Sequence, residues 1–192
     1  MNGIIAGLSL GLMFCISAIS QEEIGFVEGT GVLMKNLEIK RIEQVVVGDE
    51  VFAYSRSGIG PKKMSGRVME IIKYKVPLKS LIELEAIPMG PGKPLGYTVP
   101  KIYCAKKTPI IVNTMDIGGN FVTEYADALK GGGWCQEVLE IKNDGRMYFN
   151  YIEQCKKKEV SGGGEIEIYH LRTSSRSYIV GSRQSFLQVD AK

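Results

Sequence analysis

Short apolar runs, separated by glycine, proline, asparagine and aspartate, make up most of this sequence. No stretch carries the periodicity of a long amphipathic helix. In the run 80–87, Ile82, Leu84 and Ala86 alternate with two glutamates, which is the pattern of a half-buried β-strand. Turn signals such as Gly48-Asp49 separate these runs. Strands of this kind bury their apolar faces by packing against other strands, so we predict an all-β fold.

The predicted strands lie between these turns. They cover residues 32–34, 39–42, 51–54, 67–74, 80–87, 97–104, 109–112, 138–142, 146–152, 165–172, 178–180 and 186–189. Loops are predicted at 89–96 and 161–164 and a turn at 143–145. The loop at 89–96 lacks the glycine spacing of a phosphate-binding loop, so it is interpreted as a connector.

The composition is that of a single domain with a core. The chain has 192 residues, of which 44% are hydrophobic, and its net charge of +3 is spread along the sequence. The basic run Lys156–Lys158 has no aromatic residues interleaved with it, so we interpret it as a solvated face or loop and predict no nucleic-acid binding. With one histidine and no CxxC pair, no metal or other cofactor is expected.

Residues 1–20 resemble an export signal. They contain no Asp, Glu, Lys or Arg, and 4–19 is a nearly continuous apolar run, short for a bilayer span of about 20 residues. Ala18-Ile19-Ser20 places small side chains before Gln21, as signal peptidase requires. A lipoprotein signal through Cys15 and a buried N-terminal helix are the weaker alternatives. We expect residues 1–20 to be a signal peptide, or an anchor if it is not cleaved, followed by one domain over 21–192.

Three cysteines remain after such a leader: Cys104, Cys135 and Cys155. An odd number allows one bridge and one free thiol in an oxidising compartment, and buried unpaired thiols are the favoured interpretation. The pairing stays open at this stage. Trp134 follows three glycines and is interpreted as a core or hairpin anchor rather than a ligand-stacking residue.

A weak internal repeat relates the two halves of the sequence. The first copy begins with the run 30–34 and continues with 42–49, and the second begins with 108–112 and continues with 125–132. Each copy has a β run, a loop, a short apolar segment and a glycine turn. Neither half can cover its own apolar face, so we expect two similar halves that close on each other.

Three regions of the chain resemble the Hint family, the self-cleaving fold of inteins and hedgehog autoprocessing domains. The segment Gly25–Tyr54 is similar to the opening block of that family. Ala105–Pro109 is similar in placement to its Thr-x-x-His-Pro block, and Ile168–Leu171, Tyr178–Gly181 and Phe186–Asp190 resemble its closing elements. The resemblance covers almost all of the chain after the leader. It implies a horseshoe of two pseudo-twofold-related β halves.

The resemblance also assigns the positions that carry the family's chemistry. The nucleophile after the scissile bond is matched by Gly25, which has no side chain. The histidine that protonates the amide nitrogen is matched by Thr108, and the supporting threonine of that block by Ala105. The cyclising His-Asn pair is matched by Val189 and Asp190, and an ionised aspartate resists cyclisation. All of these positions are altered relative to the family.

Two other side chains are candidates for residual chemistry. Cys104 is close in sequence to the second block; its functional interpretation is a reactive thiol, and the favoured one is a core strand residue. His170, the only histidine, stands where the family often has asparagine, and its structural interpretation is a hydrogen-bonded side chain. No G-x-S-x-G nucleophile elbow accompanies it.

We therefore expect a secreted or cell-surface Hint-like protein that has lost autoprocessing and acts as a binding or structural module. Its partner would be an unknown protein or surface, and it would meet a membrane only through an uncleaved leader. The alternative is an enzyme that still cleaves the bond before Gly25 or after Asp190 by an altered route. A toxin-releasing module is a third reading, which the two residues after Asp190 disfavour.

Overall fold

The computed structural model describes residues 23–54, 63–88, 101–114, 120–129, 137–141, 147–182 and 185–191. The leader, Trp134, Cys135, the loop at 89–96 and the turn at 143–145 lie outside these ranges. The described residues form fourteen β-strands: β1 (Phe26–Val27), β2 (Gly31–Leu33), β3 (Ile39–Arg41), β4 (Glu50–Tyr54), β5 (Lys63–Pro77), β6 (Leu81–Pro88), β7 (Ile102–Ala105), β8 (Pro109–Thr114), β9 (Asn120–Tyr125), β10 (Glu137–Ile141), β11 (Met147–Glu159), β12 (Glu165–Thr173), β13 (Ser177–Ser182) and β14 (Ser185–Asp190).

The strands are joined in one continuous path of antiparallel pairings. Its order is β3-β2-β13-β14-β10-β11-β6-β7-β1-β12-β5-β4, and β8 pairs with β14 and with β9. The helices in the described ranges are two 3₁₀ turns, Ile42–Gln44 and Leu78–Ser80. Within those ranges no helix is long and apolar enough to cross a membrane. The all-β prediction is confirmed.

Some strands extend further than their sequence patterns predict. β5 is fifteen residues long and β11 continues through the basic run to Glu159. Lys156 and Lys158 are exposed and stand opposite Glu85 and Glu83 of β6. Cross-strand pairing of opposite charges stabilises these positions as strand rather than loop. The run is therefore a solvated sheet face, and the loop alternative was wrong.

The two halves share a hydrogen bond at equivalent positions, which confirms the repeat. The Ile42 amide donates to the Thr30 carbonyl at 2.8 Å, and the Ala126 amide donates to the Thr108 carbonyl at 2.9 Å. In each half this bond closes the end of a hairpin before a short turn. Ile42 and Ala126 are both fully buried. In the structure Ala126 therefore corresponds to Ile42 of the first copy. The sequence comparison of the two copies matches Ile42 with Tyr125, one residue earlier.

The main core takes buried side chains from both copies of the repeat, among them Val32 and Ile110. Phe26 is fully buried in it, edge to face with Tyr178 at a ring-centroid distance of 6.5 Å. β1 pairs with β7 on one side and with β12 on the other. Gly25 directly precedes this two-residue strand. Its position is therefore fixed by the two neighbouring strands and by the buried Phe26 side chain. A second, smaller cluster contains Val76, Leu81, Ala105 and Ile168.

Candidate functional site: the peptide bond before Gly25

Gly25 and Thr108, the positions matched to the family's nucleophile and its histidine, are in direct contact. The Gly25 amide donates to Thr108 Oγ1 at 3.0 Å, and the Thr108 hydroxyl donates to the Gly25 carbonyl at 3.1 Å. The amide of Ala105 donates to the same carbonyl at 3.0 Å. Thr108 is completely buried. Gly25 and Thr108, which are far apart in sequence, therefore meet at the place where the resemblance to the Hint family puts the N-terminal junction.

Gly25 has no room for a side chain. Its φ is +138°, a backbone conformation that L side chains rarely adopt. A β-carbon built on Gly25 would lie 2.6 Å from the carbonyl oxygen of Tyr169 and 2.9 Å from its carbonyl carbon. Both atoms belong to the backbone of β12, which the pairing with β5 holds in place. A nucleophilic side chain at this position would require one of the two strands to move.

The carbonyl on the other side of the same peptide bond also has a partner. The Tyr74 hydroxyl donates to the Ile24 carbonyl oxygen at 2.7 Å. Tyr74 lies in β5, where it stands opposite Ile168. Sequence reasoning missed this residue, and no motif marks it, because its role depends on the pairing of β5 with β12.

The arrangement around Thr108 determines what its hydroxyl can do. The oxygen accepts the hydrogen bond of the Gly25 N–H, so it presents a lone pair rather than a proton to that nitrogen. Its own proton is directed to the Gly25 carbonyl. The acceptor of a peptide N–H lies in the plane of that peptide group. The Thr108 oxygen is therefore also badly placed to attack the Ile24 carbonyl carbon, because attack needs an approach from above the plane. Thr108 holds the bond rather than activating it.

Cys104 lies in β7 and is fully buried, as a core strand residue is expected to be. Burial raises the pKa of its thiol far above the ordinary value, and a hydrogen bond with the Thr108 side chain only partly opposes this. Cys104 and Cys155 are both free thiols. Cys155 is half-buried, and burial raises the pKa of its thiol as well. Neither microenvironment favours a thiolate.

His170 is fully buried in β12, next to Tyr178. Its Nδ1 lies 3.3 Å from the Tyr178 hydroxyl, and its Nε2 has no hydrogen-bond partner within the described part of the chain. The pKa of His170 is lowered to about 4, mainly by burial and also by the charge of Arg172, and the charge of Asp190 opposes the shift. The ring is therefore neutral near pH 7. It does not contact Gly25 in the hydrogen bonds that hold the junction.

The predicted C-terminal pair lies on β14. Val189 is fully buried and stands opposite Tyr178 and Ile110. Asp190 is buried, and its Oδ2 accepts a hydrogen bond from the Thr123 hydroxyl at 2.8 Å. Asp190, at the predicted cyclising position, is thus also the charge that raises the pKa of His170. Among the described side chains, no group of three or more His, Cys, Asp and Glu is placed to hold a metal ion.

Comparison with solved structures places this fold among the inteins. A splice-inactive variant of the AceL NrdHF class 3 split intein is 14% identical, with a TM-score of 0.63 over 90% of this chain and 99% of that one. An intein from a hyperthermophile is 12% identical, with a TM-score of 0.60 over 87% and 99%. A bacterial intein-like domain from Clostridium thermocellum is 20% identical, with a TM-score of 0.54 over 86% and 97%.

Sequence comparison adds no relative. Protein-family models give no match, and neither do curated protein sequences. At these identities the likeness to the solved structures concerns the fold. The chain has the Hint fold. This is the fold of the inteins, as the three resembling regions predict.

Proposed function

We propose that this protein is a Hint-like domain that has lost self-cleavage and keeps the Ile24–Gly25 peptide bond intact. The observation that carries the proposal is the Tyr169 carbonyl oxygen, which lies 2.6 Å from where a β-carbon of residue 25 would stand. The acyl shift needs a nucleophile on that residue. The hydroxyl that contacts the Gly25 N–H, on Thr108, accepts the amide hydrogen bond instead of donating a proton. Nucleophile and acid are thus both lacking at the same bond.

The C-terminal position supports the same conclusion. A carboxylate is a poor cyclising group because its ionised form resists attack, and the Asp190 carboxylate accepts a hydrogen bond from Thr123. Val189 offers no proton where the family has histidine. The aspartate is fixed among buried groups of β13 and β14. These features favour a packing role for Asp190.

Without cleavage, the domain acts as a binding or structural module for a protein or surface partner. Residues 1–20 favour export, which would place it outside the cell or at its surface. Nucleic acid is disfavoured as the partner, because Lys156 and Lys158 stand opposite two glutamates of β6 and are partly neutralised. Contact with a membrane would come only through an uncleaved leader.

The intact mass of the full-length chain tests this function. The purified protein is incubated with and without a thiol or hydroxylamine, beside a splice-competent intein as a positive control for the reagents. We expect one mass that stays unchanged and that reports whether residues 1–20 were removed. A fragment that begins at Gly25, or one that ends at Asp190, would overturn the proposal. Fractionation of the producing cells tests export in the same preparation.

Residual autoprocessing is the second candidate, and one contact favours it. The Tyr74 hydroxyl lies 2.7 Å from the Ile24 carbonyl oxygen, where negative charge would develop if the bond were attacked. Cys104, which interacts with Thr108, would supply the thiol. Its burial and raised pKa oppose this route. A thiol-dependent product in the mass experiment would select it.

A further inference from the structure

The Ile24–Gly25 peptide group is held from two opposite sides. Its carbonyl accepts from the Tyr74 hydroxyl at 2.7 Å, and its N–H donates to Thr108 Oγ1 at 3.0 Å. In a trans peptide the C=O and the N–H point in opposite directions, so the two hydroxyls stand on either side of the chain. Both of its hydrogen-bonding groups are therefore satisfied by side chains of other strands.

Tyr74 is held firmly enough to act as a fixed partner. It packs with Val27 against the smaller core cluster around Ile168 and Leu81. Because its ring is held by packing, its hydroxyl does not need to be positioned by the hydrogen bond itself. Burial raises the pKa of the phenol, so it remains a neutral donor through the physiological range.

Exposure changes sharply along the described residues next to this bond. Glu23 is exposed and Ile24 is half-buried, whereas Gly25 and Phe26 are buried. The Tyr74 hydrogen bond thus lies at the boundary between the exposed Glu23 and the strand β1 inside the sheet. A contact at this boundary controls how easily Glu23 and Ile24 detach from the domain.

We propose that Tyr74 is a positioning residue that clamps the Ile24 carbonyl and makes the former cleavage site a retention site for the segment formed by Glu23 and Ile24. The inference rests on the proposed function, since only an uncut bond can retain that segment. It assigns to Tyr74 of β5 and to Thr108, the residue before β8, a shared task, which is to keep residues 24 and 25 docked.

Limited proteolysis of the full chain tests the clamp. A glutamate-specific protease is used to cut after Glu23, and the rate is compared among the wild type, Tyr74→Phe and Tyr103→Phe. Tyr103 is a matched control, because its hydroxyl donates to Glu83 at 2.7 Å and not to the Ile24 carbonyl. We expect about fivefold faster cutting after Glu23 in Tyr74→Phe, the factor that corresponds to one ordinary hydrogen bond. Tyr103→Phe should match the wild type.

A purely structural role for Tyr74 would give another result. It would lower the urea midpoint and speed cutting throughout the chain, whereas the clamp predicts faster cutting after Glu23 alone. Equal rates after Glu23 in Tyr74→Phe and the wild type, or a uniform increase at all sites, would overturn the proposal. If Tyr74→Phe does not fold, NMR of the wild type decides: a Tyr74 hydroxyl proton that is protected from exchange and coupled across the hydrogen bond to the Ile24 carbonyl supports the clamp, and a hydroxyl proton that exchanges freely with water refutes it.

The intact mass separates this proposal from the proposed function. A chain cut between Ile24 and Gly25 before protease is added refutes the loss of self-cleavage. An intact chain whose rate after Glu23 does not depend on Tyr74 refutes the clamp alone.

Discussion

The carbonyl oxygen of Tyr169 occupies the space that a β-carbon of Gly25 would need, at 2.6 Å. The antiparallel register of β1 and β12, in which Phe26 stands opposite Tyr169, brings the two backbones together. The absence of a side chain at residue 25 is therefore built into the strand pairing. Restoring a nucleophile would need a new backbone path as well as a new residue.

The variant Gly25→Cys should be less stable than the wild type and should not cleave itself. The φ of +138° and the backbone contact with Tyr169 should together cost about 2–4 kcal/mol in free energy of unfolding. Urea denaturation measures that loss. Incubation with a thiol followed by intact mass measures cleavage, for which Thr108 still supplies no proton.

Gly163→Cys is the matched control for this variant. Gly163 is exposed, and a β-carbon there would meet no atom within 4 Å. Its stability should stay within about 0.5 kcal/mol of the wild type. Thiol-dependent cleavage of Gly25→Cys, or equal stability of the two cysteine variants, would contradict the steric argument.

Thr108→Val should destabilise the domain without changing its shape. Valine is close to threonine in size, but it would leave the Gly25 N–H buried without its acceptor. A buried unsatisfied donor costs about 1–3 kcal/mol. Thr30→Val tests the equivalent threonine of the other half, whose hydroxyl donates to the Val27 carbonyl at a half-buried site. We expect it to lose less than about 1 kcal/mol, because water can replace that bond. Equal losses of stability in the two variants would show that the hydrogen bond between Gly25 and Thr108 contributes no more than the one made by Thr30.

How much of the fold follows from the sequence depends on the distance over which each signal acts. The alternation in 80–87 predicts β6 because a strand's two faces are determined locally. The repeat is also readable, since each copy carries its own turn and apolar segment. The local sequence does not distinguish a solvated strand face from a loop at the basic run Lys156–Lys158, because the glutamates that pair with it belong to another strand.

The site is predictable only in part. Gly25 and Thr108 can be found because the sequence around each resembles a known block. Tyr74 cannot, because only the register between β5 and β12 brings its hydroxyl to Ile24. The clash at Gly25 depends on register as well, and a shift of one residue would reverse which side chains face the core.

Lowering the pH should destabilise the domain through His170. The folded-state pKa is about 4 and the ordinary pKa of a histidine in an unfolded chain is 6.5, so between these values the unfolded state binds one more proton. Stability is therefore complete above pH 6.5 and falls as the pH drops towards 4. From pH 7 to pH 5 the loss should be about 2 kcal/mol. Urea denaturation at a series of pH values measures this loss.

Since His170 is the only histidine, the slope between pH 5 and 6.5 can be assigned to it. His170→Gln should flatten that slope. In the wild type, the NMR resonances of the imidazole should not titrate between pH 5 and 8. An imidazole that titrates near 6.5 would show that Arg172 and burial do not hold the ring neutral.

Cys104 should be unreactive in the folded protein. An attack on the Ile24 carbonyl would need its thiolate, and burial both raises its pKa and excludes reagents. Iodoacetamide at pH 8, followed by peptide mapping, should leave Cys104 unmodified in buffer and modify it fully in urea. Cys155, which is half-buried, should react faster in buffer and serves as the internal comparison. Labelling of folded Cys104 at a rate equal to that of Cys155 would revive the thiol route, because it would mean that the core around Thr108 opens to solvent often enough for a thiolate to form.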